Sequence, residues 1–464
     1  MKKLLQVPAT LAVGAFIMLS GTVFAADTAK TPTFTKDIAP IFQSKCEDCH
    51  RKGGMAPMSL TTYQDARPWA KSIKSRVLAR QMPPWFMDKT VGIQHFKNDA
   101  SLSDEQIATI VKWVDSGSAQ GDLKDMPAAK TYSDDNKWLL ADKFGPPDLV
   151  IKSDAYTMPA HGQDVWFRPY TDINITEPRW ARAVEIRPST PAGRRIMHHA
   201  LARLVQDETP ETLGNLKLAA TAGGNAAALD DTGGGGGAAA GLLMEWAVGK
   251  NYDIYKENSG KLILPGSKIW WELHIHAVGE EIRDHVELGV YLYPKGQEPH
   301  YRTRLMAFGS FPRGQSIDIA PNSTAETSAF HVLPAAARLD NFQPHMHLRG
   351  KAMSMEAILP DGTTQMLSYV NNFNFNWMTN YIYADDAAPV LPKGTILHIQ
   401  AWYDNTANNP NNPDPNQWVG YGDRTVDEMG HAWVNVTYMS DEEYNQWAAQ
   451  HKPKRARFGP SSQQ

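Results

Sequence analysis

Two hydrophobic rhythms divide the chain. From Phe34 to about Asp122 apolar residues recur at helical spacing, as in Phe34, Ile38, Ile41 and Phe42. The polar run Ser103-Asp104-Glu105-Gln106 opens another helix reaching Trp113, with Ile107, Ile110, Val111 and Val114 on one stripe. These patterns predict a small all-α domain. Residues 123–145 are polar and read as a linker. Beyond Pro147 short apolar or alternating runs take over, such as Leu262-Ile263-Leu264, Ile269-Trp270-Trp271, Val286 to Leu292 and Ile396 to Trp402. Bounded by Gly, Pro and Asn, they predict all-β, antiparallel sandwiches.

The ends of the chain read differently. Lys2 and Lys3 precede an apolar stretch from Leu11 to Leu19, and Val23-Phe24-Ala25 carries the small residues a signal peptidase reads. Residues 1–25 are therefore expected to be a cleaved signal peptide, and the mature chain to reside in the periplasm. No stretch approaches the ~20 apolar residues that span a bilayer, so no transmembrane segment is expected in the mature chain. Lys452, Lys454, Arg455 and Arg457 mark residues 446–464 as a basic, solvated tail. Gly233 to Gly237 lack the Lys-Ser/Thr ending of a phosphate loop and read as a flexible surface loop.

Length and charge narrow the classes. A chain of 464 residues implies several domains. With 46 basic against 50 acidic residues it has no surplus to neutralise a nucleic-acid backbone, and no nucleic-acid partner is expected. Only two cysteines are present, Cys46 and Cys49. Disulfides cannot staple so large a chain, and the pair must answer for something local.

Cys46-Glu47-Asp48-Cys49-His50 is a C-x-x-C-H signature, in which two thiols form thioethers to one covalent haem c and the following His binds the iron. A zinc half-site would need further ligands, and a disulfide leaves His50 unexplained. Met55, Met58, Met82, Met87 and His95 are all available as the opposite axial ligand. Met82 is followed by Pro83-Pro84, which stiffens the loop presenting its sulfur. The block 26–122 resembles the class I cytochrome c fold, whose axial Met commonly precedes a Pro, and the resemblance favours Met82. A Met/His pair raises the haem potential and suits electron transfer.

The β-rich region carries clustered histidines: His198-His199, His274-Ile275-His276 and His345-Met346-His347. Strand side chains alternate with period two, so His345 and His347 share a face and can chelate one ion, and His274 with His276 likewise. His198 and His199 point to opposite faces of a regular strand, and their joint use requires a bulge. Imidazole with thioether suits copper, with zinc as the generic alternative.

From about residue 148 to 440 the chain resembles the copper type II, ascorbate-dependent monooxygenases, the family of peptidylglycine and dopamine β-monooxygenases. The resemblance rests on four landmarks in order: Met197-His198-His199-Ala200, Trp271-Glu272-Leu273-His274, His345 to Lys351, and Asp427-Glu428-Met429. It implies two jelly-roll-like sandwich halves, 146–305 and 306–445, facing each other across an open cleft. It also implies two coppers. One is held by His198, His199 and His274, with His274 preferred over His276 by the family's spacing to Gly279 and Asp284. The other, catalytic in the family, is held by His345, His347 and Met429. By the same resemblance O2 hydroxylates a substrate C–H bond, with two electrons per turnover.

Peptide-amidating members hold the substrate carboxylate with an Arg, an Asn and a Tyr where this chain has Gln343, His431 and Trp433. Neutral Gln343 cannot replace a guanidinium clamp, so a small organic substrate is expected rather than a peptidyl-glycine. The leading expectation is a monooxygenase fed at least partly through its own haem, by a periplasmic redox partner or an ascorbate-like reductant. The rival is a non-catalytic haem/copper electron-transfer or copper-binding protein, which would use the same ligands.

Overall fold

The computed structural model describes residues 31–52, 54, 56–132, 137–208, 240–247, 250–310 and 317–451. The expected leader 1–25, the five-glycine loop, Met55 and the basic residues Lys452 to Arg457 lie outside the described residues.

A small helical block comes first: α1 (Ala39–Lys45), α2 (Tyr63–Ala66), α3 (Ala70–Leu78) and α4 (Asp104–Asp115). The start of α4 is fixed as its sequence predicts. The Ser103 hydroxyl accepts from the Gln106 amide and the Gln106 side chain accepts from the Ser103 amide, which satisfies two otherwise unpaired donors. Ile107, Ile110 and Trp113 of α4 pack with Phe34, Ile38, Phe42 and Val77 into one core.

This block does not keep all of its expected residues. Trp85, Phe86, Met87 and Phe96, placed by the sequence within 26–122, are buried in the core of the C-terminal β region. Met87 forms a bridge to Val370 and Phe96 to Tyr383, and the Phe86 amide donates to the Tyr381 hydroxyl at 3.2 Å. Each large apolar side chain so buried contributes roughly 1.5–3 kcal/mol, which outweighs any tendency of the segment to stay with the helices. The linker expected over 123–145 is likewise only partly a linker. Its end forms α5 (Ala141–Phe144), with the Leu139 and Leu140 amides donating to Glu185 and Arg187 lying 4.1 Å from the centre of the Trp138 ring.

The first β region contains β1 (Leu149–Lys152), β2 (Tyr156–Met158), β3 (Val165–Phe167), β4 (Tyr170–Asp172), β5 (Arg179–Pro188), β6 (Met197–Val205), β7 (Ala240–Ala247), β8 (Tyr252–Ile254), β9 (Ser259–Ile263), β10 (Lys268–Ile275), β11 (Ile282–Asp284) and β12 (Val286–Leu292), with α6 (Pro191–Ile196) leading into β6. The second contains β13 (Tyr301–Ser310), β14 (Asp318–Ile319), β15 (Thr324–Val332), β16 (Ala336–Leu339), β17 (Asn341–Met346), β18 (Gly350–Ile358), β19 (Thr364–Val370), β20 (Tyr381–Ile382), β21 (Val390–Leu391), β22 (Ile396–Asp404), β23 (Val419–Gly420) and β24 (Gly430–Met439), closed by α7 (Asp441–Gln450). The chain is thus mainly β, as its alternating runs predict.

Two apolar cores divide these strands. In the first, β1, β12 and β5 pack across Ile186, Leu288 and Val290 against β6, β7 and β10, which contribute Ala200, Met244 and Trp271. In the second, β18, β19 and β22 pack across Met353, Leu367 and Ile399 against β13, β17 and β24, which contribute Phe308, Phe342 and Val434. The boundary expected between residues 305 and 306 falls inside β13, which belongs to both regions. It pairs in parallel with β9 at Tyr301 and Arg302, and antiparallel with β7 at Leu305 and with β24 from Thr303 to Ser310. One hydrogen-bonded sheet therefore runs β10-β6-β7-β13-β24-β17 through both regions.

That sheet bends sharply. Adjacent strands lie ~4.8 Å apart, so the four steps from β6 to β17 would span about 19 Å if flat. The imidazole centres of His199 on β6 and His345 on β17 are only 6.4 Å apart. Leu201, Leu242, Leu305, Ala307 and Trp433 fill the inside of the bend. Gln343 donates to Glu245 at 2.7 Å, and Arg168 reaches Asp423 at 3.2 Å. The open cleft implied by the resemblance is closed at the histidines, because apolar burial and two polar ties draw the regions together there.

Candidate metal centres

His198 and His199 begin β6 opposite the end of β10. His274 pairs with His199, whereas Ile275 pairs with Met197, so the register slips by one and His198 is the extra residue. This is the bulge that joint use of adjacent histidines requires. It turns both rings to one side, with their Nδ1 atoms 3.2 Å apart. Two nitrogens on one tetrahedral ion at ~2.0–2.1 Å would be about 3.3 Å apart. The His274 ring centre lies 4.9 Å from each of the other two.

Among the described residues, this triad is the one group of three or more His, Cys, Asp or Glu whose ligand atoms all lie within 4.8 Å of one another. His274 is also held from behind. Its Nε2 meets the Asp164 carboxylate at 2.9 Å and its ring stacks on Trp166 at 4.2 Å, while its buried Nδ1 has no hydrogen-bond partner. A histidine anchored through one nitrogen with the other left bare is the arrangement of a metal ligand. His276 stands outside the triad.

The second set adjoins the first. His345 and His347 have ring centres 5.4 Å apart, and Phe375 lies between the sets, 4.9 Å from His198 and 6.0 Å from His347. His347 Nδ1 sits 3.1 Å from the Asp427 carbonyl, which leaves Nε2 for an ion. Glu428 is fully buried and accepts from the amides of His347 at 2.8 Å, Arg349 at 2.6 Å and Met429 at 3.3 Å. One carboxyl group thus fixes the backbone on both sides of the second set. Burial pushes its pKa up to about 8 despite those donors. Met429 is half-buried immediately before β24, and its carbonyl accepts from the Tyr403 hydroxyl.

Burial sets the protonation of the whole bay. It lowers His198 to about 3 and His347 to about 4, and holds His199 and His345 well below the usual histidine value, with neighbouring imidazoles adding to the effect. His274 is lowered by burial against the pull of Asp164. All are neutral at pH 7 and have a lone pair to offer.

The residues at the family's carboxylate-clamp positions are engaged within the fold. Gln343 is buried and committed to Glu245 and the Met378 carbonyl, and Trp433 is part of the apolar bend. His431 is buried with its ring stacked on His345. The three positions that hold a carboxylate in the peptide-amidating members are thus taken up here by packing and internal hydrogen bonds. Asp164, Trp166, Glu428 and Phe375 went unassigned in the sequence. Asp164 lies 110 residues from His274, so only the fold brings them together.

In the helical block Cys46, Cys49 and His50 follow α1 in a tight turn, with the Cys49 and His50 amides both donating to the Cys46 carbonyl. Neither cysteine is in a disulfide. Burial pushes the Cys46 thiol up to about 12, so it is neutral. His50 Nδ1 lies 3.2 Å from the Met58 carbonyl, again leaving Nε2 for a metal. This donor set fits a covalently held haem. Of the alternatives for the opposite side, Met87 is consumed by the second β core and His95 pairs with Asp386. Met82 is half-buried and leads through Pro83-Pro84 into Trp85.

No family model and no curated protein matches the chain. Among solved structures, it is similar to the major capsid protein P2 of bacteriophage PM2, at 11% identity over 62% of this chain and 97% of that one, with a TM-score of 0.24. It is also similar to PNGF-II, at 10% identity over 63% of this chain and 66% of that one, with a TM-score of 0.28. A putative α-L-fucosidase from Bacteroides ovatus matches at 6% identity over 67% of this chain and 41% of that one, with a TM-score of 0.17. Similarity this slight carries no argument about the histidine bay.

Proposed function

We propose that the chain is a periplasmic copper-dependent monooxygenase that hydroxylates a C–H bond of a small organic substrate. One oxygen atom of O2 enters the C–H bond and the other leaves as water. Two electrons and two protons come from an external reductant, the electrons passing at least partly through a haem c attached to Cys46 and Cys49. The observation that carries this reading is the neutral triad of half-buried His198 and His199 with buried His274, the last oriented by Asp164, directly beside His345 and His347.

Copper bound to these residues supplies the one-electron chemistry that reduction of dioxygen needs. The chain's own work is to hold bare nitrogens at fixed positions, keep them unprotonated and exclude water. His50 and Met82 would ligate the haem iron. The haem role draws support from the segment that follows Met82. Trp85 packs at 4.8 Å on Tyr381, whose neighbouring strand β17 carries His345.

The test is oxygen uptake by reduced, copper-loaded protein across a panel of small C–H substrates. Substrate-dependent uptake is expected, and it should be lost in His347→Ala. Silence with copper bound would favour the second reading, a haem/copper electron-transfer or copper-binding protein. That reading draws on the closure of the bay by Phe375 and Trp433. For the haem, copper reduction by a reduced redox partner should slow in the Cys46→Ala, Cys49→Ala double variant; equal rates would remove the haem from the route.

A further inference from the structure

We propose that His431 is a ligand of the second metal set, which then comprises three imidazoles, His345, His347 and His431, with the thioether of Met429. The proposal rests on the reading that this set binds copper at all.

The warrant is the register of two paired strands. In β17 and β24, His345 lies directly opposite His431 and Met346 opposite Gly430. The ladder ends there, and His347 and Met429 are the next residue of each strand beyond it. Period-two alternation puts His345 and His431 on one face as a cross-strand pair, with the His347 ring 5.4 Å from that of His345. The opposite face is the apolar core, where Met346, Ala432 and Val434 are buried.

The ring-centre distances from His345 to His431 and to His347 are those of shared ligation, while the nitrogens of the three rings are not all gathered within 4.8 Å as those of the first triad are. Two imidazoles on one ion have centres about 5 Å apart, given metal–nitrogen bonds of ~2.0–2.1 Å. The first triad spans 4.9 to 5.4 Å between ring centres. The His345–His431 separation is 4.7 Å and the His345–His347 separation 5.4 Å, in the same range. The His431 ring is confined from its other side by the edge of Trp433, at 4.8 Å and 86°. It is 3% exposed. Burial also holds it neutral, as a ligand must be.

The chemical consequence is specific. Three nitrogens and one sulfur would make a four-donor set for copper, in which the thioether would be the weakest ligand. Met429 becomes dispensable for holding copper and His431 does not.

The test uses the full-length haem protein loaded with copper alone. Copper is counted per chain, and the nitrogen and sulfur ligands are counted by X-ray absorption of the Cu(I) form and by EPR of the Cu(II) form. Wild type should hold two coppers. His431→Phe, which keeps the ring packing, and His431→Gln should both weaken the second copper by roughly tenfold or more and lower its nitrogen count, with the first copper and the haem spectrum unchanged. Met429→Leu should keep the second copper with nitrogen ligands only. Two coppers in wild type, with the second copper's spectrum and affinity unaltered in both His431 variants, would overturn the assignment of His431 alone. Fewer than two coppers in wild type would overturn the underlying reading with it.

Discussion

The two histidine sets lie in one bay but are built in different ways. The first is gathered by an irregularity. A single bulged residue turns adjacent histidines to one side, and a third, supplied by β10 across the ladder, is fixed by a carboxylate and a tryptophan. The second is gathered by regularity. An undisturbed ladder between β17 and β24 sets His345 opposite His431, and Glu428 pins the backbone of His347 and Met429 where the ladder ends. The ligand atoms of the first set all lie within 4.8 Å of one another, whereas the second set is arrayed around His345. Convergence of adjacent histidines depends on local distortion, while an ordinary strand pair sets two donors side by side without it.

The largest expected effect separates the sets outright. His274→Ala should cost one copper per chain while the second is retained, as measured by metal analysis after dialysis. Loss of both coppers would show that the sets are a single site.

Asp164→Ala should weaken the first copper by about 10–100-fold, the usual effect of removing a carboxylate behind a ligating histidine. The second copper should be unaffected in the same titration. An equal loss at both sites would mean that Asp164 supports the fold of the bay rather than His274.

Glu428→Gln should act on the second set and on the fold together. Its carboxyl accepts three buried amides, and a carboxamide offers one acceptor oxygen in place of two. Loss of a buried hydrogen bond of this kind costs about 1–3 kcal/mol, which denaturant unfolding would resolve. Copper at the first set should bind as before.

The last effect is that of pH on metal-free protein. His198 and His347 have folded pKa values near 3 and 4, below the unfolded value of about 6.5. Below pH 6.5 the unfolded chain takes up protons that the folded chain refuses. Stability is therefore full above pH 6.5 and falls as pH drops from there toward 3–4. Thermal unfolding of the metal-free protein should follow that slope, and copper should shift its onset to lower pH.

Much of this architecture is legible in the sequence, because periodicity reports which face a residue presents. The cap at Ser103, the alternating β runs, the need for a bulge at His198-His199 and the shared face of His345 and His347 all follow from local pattern. What stays hidden depends on distant partners. Trp85, Phe86, Met87 and Phe96 read as part of the helical block because their own neighbours are helical; their burial is set by Tyr381 and Val370 almost 300 residues on. The position of β13 in both regions is invisible for the same reason, since its first residues pair with β9 and the rest with β24. His431 and Trp433 stand where the peptide-amidating members contact substrate, whereas the bend of the shared sheet turns both inward.

The central claim is that one chain carries a haem site and two copper sites. Metal and haem analysis of the purified full-length protein tests it most directly. The account predicts one covalent haem iron and two coppers per chain, with one copper lost in His274→Ala. Two irons and no copper would contradict it.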